Sequence, residues 1–491
     1  MTRFALETRM YIDGAYVGGE GTALPVEHPG NGETFVEFPG ASAGQVEQAI
    51  AAARRAFDSG CWSGLPDAER VAAVRKLMDF FAANRDRLKE LALLEAGAPV
   101  STVVPAQVDM SIQHGYQVIG IFQSLPAFED NPLPIAERFN AQGKVGQSLR
   151  SYVPVGVVGA ISAYNFPFYT NLWKVVPALL AGNTVVLRPS PLTPLSALIF
   201  GEAAAAAGLP RGVLNVIADK GAEGGVILSE HKDVDMIAFT GSSLVGRAVM
   251  AQAAPTMKKL QLELGGKSAQ IFLPDALAQA AGAAAMVCMA HAGQGCVLGT
   301  RIFVPQEHKE AALQAMAGAL NHAAKIGDPA NPTTTFGPVI SAAQRDRCEH
   351  FVKAAVEAGG KVVTGGKRPE GMGNGFFFEP TILDVPDNKN PAAQEEIFGP
   401  VVCVIGYRDL DHAVEMANDT IYGLSGHVYG NAREATAVAR RLRTGTVNVN
   451  GGLTSAYASS GGWGVSGVNR ERGPEGVRVY QQVQVLSIVS A

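Results

Sequence analysis

The sequence predicts an α/β protein with two domains on mostly parallel sheets and a small additional β element. Three observations predict it. Short β-branched runs alternate with longer Ala- and Leu-rich stretches across 153–304, and a second alternation runs across 301–449. Strand and helix in alternation require crossover connections, and these produce a parallel sheet covered on both faces. The chain has 491 residues, too many for one ordinary core, so two or three domains are expected. Two segments, 143–152 and 479–489, alternate along their length and fit neither domain.

Taken in order, the chain opens with a hairpin-like turn at Asp13-Gly14 and continues mainly helical, over 43–57 and 67–94. A Pro-rich loop leads to 143–152. Strands follow at 156–161, 184–187, 214–217, 236–240, 260–264 and 269–273. Between them run helices at 172–180 and at 194–207, the latter ended by Gly208, a residue suited to the left-handed turn that closes a helix. The second alternation comprises strands at 301–304, 361–364, 401–407 and 446–449, with helices at 307–324, 342–358 and 410–418. Segments 143–152 and 479–489 read as exposed strands in need of a partner, which a homo-oligomer would supply.

Composition narrows the function. Hydrophobic residues make up 47% and charged residues 17%, an ordinary globular balance. Net charge is −5, which gives no basic footprint for nucleic acid and no polybasic membrane anchor. The N-terminus lacks the apolar core of a signal peptide, and no window reaches the roughly 18 apolar residues of a membrane span. A cytoplasmic protein is the simplest expectation. The five cysteines are odd in number and lack C-x-x-C spacing, and the nine histidines include no H-E-x-x-H. Neither a disulfide framework nor a metal site is expected.

Four segments carry chemistry. Gly293-Gln294-Gly295-Cys296 places a thiol in a Gly-rich loop between helix and strand, where α/β proteins keep their sites. Its thiolate would be the nucleophile, and a buried inert cysteine is the alternative. Leu262-Glu263-Leu264-Gly265-Gly266-Lys267 ends a strand with a carboxylate among apolar neighbours. Desolvation raises such a group toward general-base duty, whereas a solvated strand-end glutamate would do nothing. The run from Phe239, Thr240, Gly241 and Ser242 to Gly246 ends a strand and opens a helix, offering backbone N–H groups to an anion. Arg247-Ala248 stand where a P-loop needs Lys-Ser/Thr, which argues against nucleoside-triphosphate hydrolysis. In Tyr164-Asn165-Phe166-Pro167 the Asn165 amide follows a strand and is suited to hold an oxyanion, or simply to make a turn.

In this order and spacing the four segments resemble the aldehyde dehydrogenase superfamily. Arg301, five residues after the cysteine, Glu395-Glu396-Ile397-Phe398-Gly399-Pro400, Gly461-Gly462-Trp463 and Ser466-Gly467 extend the resemblance. It covers nearly the whole chain from Tyr11-Ile12-Asp13-Gly14. The resemblance implies two Rossmann-like domains: dinucleotide-binding over 1–126 and 150–262, catalytic over 263–457, with oligomerisation strands at 127–149 and 474–491. It implies that Cys296 attacks the aldehyde carbon, that Asn165 holds the oxyanion and that Glu263 activates the water that hydrolyses the thioester. Lys174 matches a lysine found near the asparagine. Along the cofactor the resemblance places Ser162, Ala163, Tyr164, Arg188, Pro189, Ser190, Gly221 and Gly225. Phe239, Thr240, Gly241, Ser242, Leu264 and Gly265 continue that lining, and Glu396 and Phe398 lie at the nicotinamide end.

The chain also departs from the family pattern. Leu187-Arg188-Pro189-Ser190-Pro191 stands where the family reads Lys-Pro-Ser-Glu. Pro191 removes the carboxylate that binds the ribose and repels a 2′-phosphate, and Arg188 is able to pair with that phosphate. NAD is expected, with NADP open. Tyr164 replaces a Trp. Phe166, Thr170, Gly295 and Ser460 line the expected substrate mouth, and the small residues among them suggest room for a bulky or apolar aldehyde. Alternatives are a coenzyme-A-acylating dehydrogenase, a non-catalytic dinucleotide-binding protein, and a cysteine hydrolase pairing Cys296 with His291.

Overall fold

The structure is a computed structural model and describes residues 3–452 and 455–489. Met1 and Thr2 of the N-terminal reading, 453–454 of the catalytic segment and the last two residues of the C-terminal one lie outside the described residues.

The first sheet has eight strands. Its five central strands are parallel, in the order Leu214–Val216, Thr184–Arg188, Val157–Ile161, Met236–Thr240 and Lys259–Glu263. Val157–Ile161 and Thr184–Arg188 are the β-branched runs of the sequence, and with Met236–Thr240 they are almost wholly buried because helices cover both faces. Antiparallel strands close the two sides: Met10–Ile12, paired with Ala15–Val17 through the Asp13-Gly14 turn, and Gly467–Val468 against Leu262 and Glu263. Val157–Ile161 starts in the middle, the next two strands stack to one side, and the chain then crosses to Met236–Thr240 on the other. That reversal leaves a crevice at the carboxyl ends of the two central strands, where ligands of open α/β sheets bind.

The second sheet has seven strands, in the order Lys361–Thr364, Thr381–Asp384, Val401–Tyr407, Arg301–Pro305, Ala269–Phe272, Ser425–Tyr429 and Thr446–Val449. All pairs but the first are parallel. A three-stranded antiparallel sheet stands apart, with Gly146–Pro154 between Gln481–Val489 and Phe128–Asp130.

Several expectations need correction. The helix read over 67–94 is two, Asp67–Ala83 and Arg85–Ala96. Asn84 breaks it: its side chain and its backbone N–H both turn back onto Phe80, and its own φ/ψ of −102/23 starts the next helix. The helix read from 172 begins at Pro167, whose fixed φ and missing N–H suit a first helical position. The 21-residue helix Val104–Ser124 escaped the reading because Gln107, Ser111 and His114 lie on its buried side and blur the apolar stripe. Segments 143–152 and 479–489 do not wait for another chain: they pair with each other over nine positions, from Gln481↔Pro154 to Val489↔Gly146. The C-terminal strand starts at Gln481, since Val477, Val479 and Tyr480 are buried in the core of the first domain after the short helix Gly473–Arg478. Among the described residues no helix is long and apolar enough to cross a membrane.

Candidate active site

Two strand ends and one loop after a helix bring the chemistry together. Asn165 follows Val157–Ile161 and is held at both ends. Its carbonyl accepts from Gln107 Nε2 at 3.1 Å, and its Nδ2 donates to the Gln294 carbonyl at 2.8 Å, two residues before Cys296. Glu263 ends Lys259–Glu263, paired in register with Thr240 on one side and Gly467 on the other. Cys296 lies in the loop after the helix Leu277–Met289.

That loop is coiled tightly. His291, Ala292 and Gly293 have successive φ values of 51°, 51° and 73°. Positive φ in two residues with a Cβ is costly and persists only where the surroundings enforce it. At Gly293 a Cβ would meet the Gly399 carbonyl at 2.1 Å. The Gly pair after Glu263 serves the same close packing. A Cβ on Gly266 would lie 2.6 Å from the Cys296 carbonyl, and one on Gly265 only 2.2 Å from Glu396 Oε2. Glu396 thereby reaches in to accept the Gly266 N–H at 2.9 Å. Ser466 completes the join, its carbonyl accepting from the Leu264 N–H and its hydroxyl donating to the Gly265 carbonyl at 2.6 Å. The motifs that were separate in sequence are one bonded cluster.

Electrostatics around the thiol are acidic. The half-buried Cys296 is pushed up to about 12 by burial, then by the charges of Glu396 and Glu263, with Arg472 opposing. Glu263 is buried, its Oε1 has no hydrogen-bond partner, and it is pushed up to about 8 by burial first and Glu471 second. Glu396 is raised to about 7, again by burial. Lys174 is fully buried, with Nζ 3.4 Å from Glu471 Oε1 and 3.5 Å from Gln261 Oε1. His291 does not make the hydrolase pair. Both of its ring nitrogens are buried without a partner, and it packs edge-on against Phe166 at 5.5 Å.

The crevice has the features a dinucleotide needs. Thr240 Oγ1 is buried with no hydrogen-bond partner at the end of its strand. Gly241 follows, its N–H bonded to the Glu263 carbonyl, and a Cβ there would meet the Phe239 ring at 2.4 Å. Ser242 caps the helix Ser243–Ala253 through the Val245 N–H, so the helix opens onto the crevice with unpaired N–H groups. Ser162 is tied to the neighbouring strand by its N–H to the Arg188 carbonyl and to Asn171 by its hydroxyl, and Ala163 accepts from Thr170. Pro189 is buried and Ser190 half-buried at the same sheet end. Gly221 has φ +87° and open space at its Cβ position, and a Cβ on Gly225 would rest 3.7 Å from Arg188. At the other end Phe398, with φ 59°, lies edge-on to Tyr164 at 5.9 Å.

Arg188 is not the free cation that a 2′-phosphate would require. Its Nε donates to Asp219 Oδ1 at 2.6 Å and its Nη2 to the Gly221 carbonyl at 2.5 Å. The substrate mouth also differs from expectation. The Thr170 hydroxyl is turned into its own helix, toward the Phe166 and Pro167 carbonyls. A Cβ on Gly295 would meet Leu298 at 2.9 Å, so that glycine opens no space. Ser460 forms a two-way backbone bridge with Glu471 at 2.7 Å. Aromatic rings stand nearby instead: Phe166, Tyr169 and Trp173 form a contiguous set, with the Arg472 guanidinium 5.3 Å from Tyr169 and 5.7 Å from Trp173. Sequence reasoning missed Gln107, Asp219, Gln294, Glu471 and Arg472. Their signal was faint: Arg470-Glu471-Arg472 reads as a solvated charge run unless its place just after Ser466-Gly467 is noticed.

Residues 16–486 match the model of the aldehyde dehydrogenase family. Betaine aldehyde dehydrogenase of Bacillus subtilis is 36% identical over 489 residues, covering 97% of this chain and 96% of that protein. Geranial dehydrogenase of Castellaniella defragrans is 37% identical over 440 residues, covering 89% of each. A mutant of aldehyde dehydrogenase C from Pseudomonas syringae, solved with NAD+ and octanal, superposes with a TM-score of 0.92 at 34% identity over 98% of both chains. On its sequence, its fold and the joined motifs of its site, the chain belongs to the aldehyde dehydrogenase family.

Proposed function

We propose that this protein oxidises an aldehyde to the carboxylic acid through a covalent intermediate on Cys296, with NAD as hydride acceptor. The observation that carries the reading is the convergence of the Cys296 loop, the Asn165 amide and the desolvated Glu263 carboxyl, tied together by the Gly265–Glu396–Ser466 cluster. The Cys296 thiol gives up its proton to water as Sγ adds to the carbonyl carbon. The developing oxyanion is held by Asn165 Nδ2, which is aimed at this loop, and by the Cys296 N–H. NAD supplies the acceptor for the departing hydride, which leaves a thioester on Cys296. Glu263 takes a proton from water, the hydroxide adds to the thioester carbon, the C–S bond breaks to give the acid and the thiolate, and Glu263 returns its proton to the thiolate.

Thr240, Gly241, Ser242, Gly221 and Gly225 would hold the dinucleotide along the crevice, and Glu396 and Phe398 its nicotinamide end. Most of that lining lies in the 1–126 and 150–262 unit, with Glu396 and Phe398 reaching in from 263–457, which carries Cys296 and Glu263 and receives Asn165 from the first unit. Relatives act on geranial or are bound to octanal, and the largely buried Phe166–Tyr169–Trp173 ring cluster that begins beside Asn165 makes an apolar wall suited to a similarly bulky or apolar aldehyde. The Arg472 guanidinium disfavours a cationic one such as betaine aldehyde. Five free cysteines fit a reducing cytoplasm. The arm formed by Phe128–Asp130, Gly146–Pro154 and Gln481–Val489 is the proposed contact of a homo-oligomer. The test is growth of reduced-nicotinamide absorbance with short, long-chain, aromatic and terpenoid aldehydes. Wild type is expected to turn over the larger apolar members, and Cys296→Ala none. A thioester product that forms only with coenzyme A would favour the acylating alternative instead.

A further inference from the structure

We propose that Asp219 sets the choice between the two dinucleotides by disarming Arg188, so that this site takes a free ribose 2′-hydroxyl and rejects a 2′-phosphate. The inference rests on the reading that a dinucleotide lies along the crevice. Arg188 ends the strand Thr184–Arg188, and Asp219 follows the neighbouring parallel strand Leu214–Val216. Both are buried, with 7% and 6% of their side chains exposed, and they form an ion pair at 2.6 Å.

The pair is built in on all sides. Asp219 Oδ2 accepts the Gly224 N–H at 2.9 Å, while Arg188 Nη2 donates to the Gly221 carbonyl. The guanidinium is left with Nη1 as its unengaged nitrogen, facing Gly225. An arginine attracts a phosphate with a free fork and a net charge. Here Asp219 and the Gly221 carbonyl together occupy the Nε–Nη2 edge, and Asp219 cancels the charge. Lys220 in the loop and Glu223 at the start of the helix after it are both exposed and of opposite charge, so they add no net positive charge there. Pro191 provides no carboxylate against a 2′-phosphate, so the exclusion comes from the adjacent strand.

The test is isothermal titration calorimetry of adenosine 5′-monophosphate and adenosine 2′,5′-bisphosphate on the full-length protein, beside the ratio of kcat/KM for NAD and NADP. Wild type should prefer the monophosphate at least tenfold. Asp219→Asn should move that ratio at least tenfold toward the bisphosphate, and the preference for NADP should move with it. Asp219→Ser, which makes the same charge change, should do likewise. Adding Arg188→Met to Asp219→Asn should abolish the gain. An unchanged binding ratio in both Asp219 variants, while NAD-linked aldehyde oxidation persists, overturns the role of Asp219 alone. Failure of wild type to bind either nucleotide or to oxidise any aldehyde overturns the functional reading as well.

Discussion

Glu263 is a carboxyl held back from ionisation, and its surroundings decide when it can act. Burial and Glu471 raise it to about 8, so near neutral pH it is mostly protonated. Only the ionised form can take a proton from water. The rate of thioester hydrolysis is therefore expected to climb about tenfold per pH unit below 8 and to level off above it, as followed in single turnovers. A profile that is flat from pH 6 to 9 would remove Glu263 from the step. At this scale the sequence was legible where chemistry sits inside a short motif, as with Cys296, Glu263 and Glu396. It was not legible for Asp219 or Glu471, whose partners Arg188 and Lys174 lie 31 and 297 residues away. Pairings of that kind are made by the sheet order, which no local pattern encodes.

Helix ends show what tertiary packing adds to an element. The helix Leu195–Ala207 stops at Gly208, with φ 70°, as its sequence implies. Its start is capped from 100 residues away. Both oxygens of Glu95 accept helix N–H groups, from Leu195 at 2.7 Å and Ser196 at 3.0 Å. Full burial nevertheless lifts this carboxyl from 4.5 to about 7. A raised acid stabilises the fold fully below its unfolded pKa, and that contribution is lost as pH rises through the folded value. Glu95→Gln keeps one acceptor oxygen for two donors, so it should cost about 1 kcal/mol at pH 5. The gap in melting temperature to wild type should narrow by pH 8. A gap that widens with pH would show that the ionised carboxylate is the better cap.

For the whole molecule, the two alternations were legible as two parallel sheets, but Thr381–Asp384 and Ser425–Tyr429 of the second sheet were not read as strands, and Ala269–Phe272, read with the first alternation, belongs to the second sheet. Two strands of the arm were legible and Phe128–Asp130 was not, and the pairing within one chain was not legible either, since alternation says nothing about who the neighbour is. Pairing does not finish the arm. Val483 and Val485 remain 59% and 58% exposed on Gln481–Val489, with Phe128 and Val145 exposed on the same arm. An exposed apolar edge strand invites another copy. Val485→Glu is expected to shift the sedimentation coefficient to that of a monomer at micromolar concentration. A wild type that is already monomeric would contradict this.

The central claim is a thioester on Cys296 that Glu263 clears, and intact-protein mass spectrometry tests it most directly. Glu263→Gln, mixed with NAD and octanal, should accumulate one acyl group per chain, located on the peptide that holds Cys296, with one equivalent of reduced dinucleotide released in a burst. A burst without the adduct, or an adduct on another residue, would contradict the account.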